Sequence, residues 1–160
     1  MNIFATSPCP IESAKYLDDK RAIKMALESA QMLSTAINEY GGTGGYKSTH
    51  VNHPANVWAR TTRANYMWLV SHFSALCSEY TLRYGKVHKC AAMYDHFLKA
   101  ADLIPDGDLT PFVNCAANNS LGVSYKFIHD THEAYRLYLA SRFRTDKRPP
   151  TWHRQPKAGD

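Results

Sequence analysis

The sequence predicts an all-α fold: a compact bundle of about four helices with an irregular segment near 104–129. Three observations carry this expectation. Two long stretches, 11–39 and 54–84, combine good helix formers with apolar side chains three and four residues apart. Gly, Pro and Asp stand where such helices would start and stop. No stretch shows sustained alternation of apolar and polar residues, as a half-buried strand requires. A chain of 160 residues fits one domain. With 44% hydrophobic and 21% charged residues it is no disordered chain.

Residues 1–9 read as an extended start, with Ile3 and Phe4 available to pack. Pro10 suits a first helical position. The helical pattern of 11–39 is broken near Asp18 and Asp19, either of which can cap a second segment. Tyr40-Gly-Gly-Thr-Gly-Gly ends it and leads into a loop over 41–53. Pro54 opens a second long helix, expected to run to Tyr84 and stop at Gly85, with Leu69, Phe73, Leu76 and Tyr80 on one face. A third helix is expected over 87–103, with Ala91, Tyr94, Leu98 and Ala101 inward. Pro105-Asp-Gly-Asp then begins the irregular stretch. Asp130 and Glu133 form a capping box for a last helix to about Arg144, and Pro149-Pro150 forbids its continuation. The chain thus divides into a helical domain, 1–144, and a basic tail, 145–160. The two long helices should pack together and bury Leu27, Leu33, Leu69, Phe73 and Leu76.

The net charge of +5 is unevenly placed. From Arg136 onward stand seven basic residues against Asp146 and Asp160, so this end carries the whole +5. A basic end containing Arg148 and Trp152 is a plausible phosphate-binding footprint, and equally a solvated tail. Cys9, Cys77, Cys90 and Cys115 are widely spaced, with no CxxC pair, and read as free thiols. No apolar run is long enough to span a bilayer, and the start lacks a basic then apolar signal. A cytoplasmic protein with no membrane partner is expected.

The first long helix carries a polar stripe. Arg21, Lys24, Glu28, Gln31 and Thr35 recur at spacings of three and four and share a face. A solvated face with a Lys24–Glu28 pair is the plainer account. The stripe nevertheless places a carboxylate among cations on a helix central to any bundle, as general acid–base chemistry requires. Trp68, His72, Glu79 and Arg83 share a face of the second helix, with Lys86, His88 and Lys89 following. They read either as core plus surface or as a cleft wall able to stack and hydrogen-bond a base. The eight histidines show no recognisable metal-ligand spacing, and no HExxH, Walker or GxSxG motif occurs. No metal or cofactor is called for.

The run Tyr46-Lys47-Ser48-Thr49-His50-Val51-Asn52-His53-Pro54 is followed by Trp58, Tyr66 and Leu69, and then by Arg83-Tyr84-Gly85-Lys86-Val87-His88-Lys89. This order resembles the middle of the pyrimidine-dimer DNA glycosylase family, small UV-repair enzymes of the endonuclease V type. Arg148-Pro149-Pro150-Thr151-Trp152 resembles the tail of phage members. The whole looks like a phage gene product, which would act in the host cytoplasm. The resemblance implies an all-helical fold, duplex DNA as partner, and attack of an α-amine on C1′ of a damaged nucleotide, followed by β-elimination. It makes Glu28 the active-site glutamate. An α-amine suits the role because its pKa lies at about 8, leaving a useful fraction unprotonated at neutral pH. Residue 2 is Asn, too large for efficient Met removal, so the amine assigned here is that of Met1. The family's cation just after the nucleophile is absent, since Ile3 and Phe4 follow Asn2. Lys24, or Lys20, is a substitute amine if desolvated.

Three readings of function follow. A DNA-acting enzyme, a base-excision glycosylase/lyase or related base-modification enzyme, would use Glu28, Lys24 and Met1 for catalysis. Arg21, Gln31, His53, His72, Glu79, Arg83, Lys86, His88, Arg148 and Trp152 would then bind substrate. A non-catalytic phage protein binding a host protein or nucleic acid would leave the stripes as surface. A nucleotide-processing enzyme would use the cleft without the tail.

Overall fold

The computed structural model describes residues 1–153 and is all-α: six α-helices joined by loops and short 3-10 turns, with one two-residue strand pair. The helices are α1 (Pro10–Tyr16), α2 (Asp19–Glu39), α3 (Pro54–Thr61), α4 (Arg63–Tyr84), α5 (Tyr94–Lys99) and α6 (Thr131–Thr145). The strands, β1 (Ala117–Asn118) and β2 (Val123–Ser124), pair antiparallel, and are too short to leave a pattern in the sequence. Among the described residues no helix is long and apolar enough to cross a membrane.

The punctuation acts as its chemistry requires. Pro10 stands in the first turn of α1, and the chain turns extended at Leu17 and Asp18 before α2 begins. The 41–53 loop folds back on α2. Gly44 takes φ +100°, and a Cβ on Gly45 would collide with Ser34. The Asp130 carboxylate accepts hydrogen bonds from the His132 and Glu133 amides, capping α6.

Helix α4 is the axis of the core, with α2 and α1 packed along it. Leu33, Leu69, Phe73 and Leu76 are fully buried between them. Leu27 is not: it is 38% exposed, as Ile23 is 37% exposed, because the N-terminal half of α2 rests its inner face on the chain start instead. There Ile3 and Phe4 fill the core, and the Phe4 ring stacks on Tyr138 of α6.

Two expected helices differ. The stretch 54–84 is two helices, because Thr62 is extended and its hydroxyl accepts from the Asn65 amide to start α4. A distant loop sustains the break. Asn65 donates to Trp58 O and the Thr110 hydroxyl, and Arg63 reaches Ala101 O and Ile104 O. The stretch 87–103 is a short α-helix between two 3-10 turns, which rotates the inward face. Phe97 is fully buried there, while Leu98 is 36% exposed.

Candidate active site

The chain start and α2 meet at a cleft of about 330 Å³, with α6 and β1 closing its sides. Met1 and Glu28 both line it, with the α-amine 3.4 Å from Oε1 of Glu28. Both side chains are largely withdrawn from solvent, at 3% and 13% exposure. Oε2 of Glu28 is buried and makes no hydrogen bond among the described residues, so one carboxylate oxygen holds the amine while the other is uncommitted.

Local structure aims the amine. Oδ1 of Asn2 accepts from the amides of Ile3, at 2.8 Å, and Phe4, at 3.1 Å, while its Nδ2 donates to Cys115 O. This side-chain turn holds Phe4 at φ 56°, a left-handed conformation that a bulky residue resists. The buried Phe4 ring, edge-on to Tyr135 and stacked on Tyr138, secures the bend from below. Asn2 therefore orients the terminus, a role that its size alone did not suggest.

Around the pair stand Lys20, Arg21, Lys24 and Arg142, against Asp146. Arg21 is committed: it grips Asp146 with two nitrogens and also pairs with Asp18. Burial works against its charge, but the bonds to Asp146 and Asp18 hold the guanidinium above its ordinary pKa. Lys24 is exposed at the rim. Arg142, on α6, lines the cleft, donating to the Tyr138 hydroxyl and standing 3.7 Å from Asp146. The cleft shares Lys20, Arg142 and Asp146 with a larger groove of about 760 Å³ that adds Lys147 and Arg148. The basic side chains thus continue along the surface from the amine. Described to residue 153, the tail packs down: Asp19 holds the Thr151 hydroxyl and the His153 ring, and Trp152 donates to Tyr16 O. Residues 154–160, with Arg154 and Lys157 of the predicted basic end, lie outside the described residues.

His53 stands beside a recess that continues from the cleft through Ala117. Its Nδ1 accepts from the Ala55 amide and caps α3. Burial, then the Met1 amine and His50, push its pKa below the ordinary histidine value. An Nδ1 that accepts from an amide carries no proton, so the neutral ring holds its proton on Nε2. Of the other stripe residues, Gln31 is half-buried, and Thr35 is buried, bonded to Gln31 O and to the Thr49 amide.

The second-helix set does not join this cleft; its members are buried where they tie α1 to α4. The indole of Trp68 donates to Pro8 O, and His72 stacks on Trp68 and bonds Pro10 O. Arg83 is wholly enclosed, donating to Leu17 O, Lys15 O, Asp19 and Glu79. Apart from these two carboxylates the partners are backbone carbonyls of the chain start, and no side-chain pattern announces those. Lys86 is exposed beyond the end of α4, and His88 caps the following 3-10 turn through the Cys90 amide.

A sequence model of one family, described as pyrimidine dimer DNA glycosylase, matches residues 1–92. Comparison with curated proteins gives no match, and comparison with solved structures gives none. The matched span holds the terminal amine, Glu28 and the His53-Pro54 start of α3, and it exceeds half the chain; the protein belongs to the pyrimidine dimer DNA glycosylase family.

Proposed function

We propose that the protein is a DNA glycosylase with lyase activity, working on a damaged nucleotide of duplex DNA through the Met1 α-amine and Glu28. The contact of that amine with a carboxylate inside a basic cleft carries the reading. A neutral amine attacks C1′, forming a C–N bond as the bond to the base breaks, and the base leaves with the bonding pair and takes up a proton. The substituted nitrogen gives up one proton, the C1′–O4′ bond breaks with O4′ taking the bonding pair and a proton, and the opened sugar is left as a positively charged imine on the terminus. A carboxylate within 3.4 Å of the nitrogen stabilises that charge. Its uncommitted oxygen, Oε2, accepts the C2′ proton, and the 3′-phosphate leaves by β-elimination. Lys20, Lys24, Arg142, Lys147 and Arg148 line the cleft and its adjoining groove and take the phosphates on either side. Lys24 is the alternative amine. The protein would act in the cytoplasm, a host's if it is phage-encoded.

Borohydride reduction tests this. Incubation with duplex DNA carrying a cyclobutane pyrimidine dimer or an abasic site should yield a covalent protein–DNA adduct that survives denaturation. Strand cleavage without a trappable adduct, or neither, would overturn it.

A further inference from the structure

We infer that the turn at 125–128 is a wedge that opens duplex DNA: Lys126 grips a phosphate, and Phe127 inserts its ring among the base pairs next to the attacked nucleotide. This rests on the DNA reading above.

The Ile128 amide donates to Tyr125 O at 3.1 Å, closing a tight turn with Lys126 and Phe127 at its two central positions. Such positions ordinarily take Gly, Asn, Asp, Pro or Ser. Phe127 is instead 79% exposed, the most exposed large apolar side chain among the described residues. A lone exposed apolar residue is common. This one is also rigidly presented. Nδ2 of Asn114 bridges both ends of the turn, donating to Tyr125 O and Ile128 O, and the Tyr125 amide bonds Ala116 O. Ile128 packs on the core beneath.

The turn adjoins the active cleft. Lys126 lines a recess with His53 and Ala117, and Ala117 also borders the cleft of the Met1 amine. The Phe127 ring stacks on the half-buried Tyr125, and its exposed neighbours along the chain are polar: Ser124, Lys126, His129 and Asp130. A flat ring beside a cation fits a base stack edged by phosphates. The chemistry needs such a device, because C1′ in a stacked duplex cannot meet an amine seated inside a cleft unless the nucleotide is displaced.

The test uses a duplex with a stable abasic analogue and 2-aminopurine as its neighbour, whose emission rises on unstacking. At saturating protein the wild type should raise emission severalfold, Phe127→Ala should lose at least two-thirds of that rise, and Phe127→Trp should restore it. All three should melt together, since the side chain is mostly exposed. The ratio of duplex to single-strand adduct formation should also fall at least tenfold in Phe127→Ala. Equal emission with wild type and Phe127→Ala, or no unstacking by the wild type, overturns the wedge. Unstacking that depends on Phe127 without any imine adduct supports the wedge and sinks the lyase reading instead.

Discussion

Replacing Glu28 by Gln removes one charge and almost no volume, so it separates charge from packing. At 3.4 Å and an effective dielectric of about 20, the attraction between amine and carboxylate is about 5 kcal/mol before desolvation. The imine formed on that nitrogen inherits the same separation. If roughly half the attraction survives desolvation, the transition state loses about 2.5 kcal/mol, roughly seventyfold in rate. The folded protein should lose about 1 kcal/mol, a shift of roughly 2–4 °C in melting temperature for a chain of this size. Single-turnover adduct formation and thermal melting on one preparation read both quantities. An unchanged rate with that small melting shift would make the pair a structural contact only, and the argument from the uncommitted oxygen would fail.

Arg83→Met should be the most damaging single change. It leaves Glu79 and Asp19 buried beside an apolar chain, at a cost of about 3–5 kcal/mol by urea unfolding; a loss below 1 kcal/mol would refute its structural role. Burial pushes His72 down to about 4, outweighing the carbonyls of Pro10 and Ile3 that favour its proton. The unfolded chain therefore binds this proton first, and about 3 kcal/mol of stability, complete above pH 6.5, drains away as pH falls to 4. His72→Phe should flatten that slope in urea titrations. Lys147→Gln with Arg148→Gln should make the log–log salt slope of DNA affinity shallower by about 1–2, at roughly 0.9 per phosphate. Because Thr151 and His153 satisfy the Asp19 carboxylate, truncation from 145 would remove packing along with charge, and the point substitutions are the cleaner test.

Local signals were readable wherever the physics is local. Pro10, Gly41 and the Asp130 cap act within one turn of themselves, and the helices begin or end there. Glu28 stood out by its place in a periodic stripe, and the resemblance gave it a chemical role. Long-range partners left no trace. Thr62 breaks a helix because Asn65 and Arg63 are held by the 101–110 segment, some 40 residues on. His72 and Arg83 looked like a cleft wall because spacing reports which residues share a face, and not what that face meets. Apart from the Glu79 and Asp19 carboxylates that Arg83 pairs with, their partners are backbone carbonyls of 8–17, which carry no residue identity. Arg142 was counted as part of a basic end, and only the fold carries it to the cleft.

The central claim is that the amine beside Glu28 is the nucleophile. Borohydride-trapped adduct, digested and sequenced by mass spectrometry, reports which nitrogen carries the sugar. The account predicts a modified peptide beginning at Met1 with the mass on its α-amine, and loss of the adduct when one residue is added ahead of Met1. A sugar found on Lys24 or any other lysine, or an adduct indifferent to that extension, would contradict it.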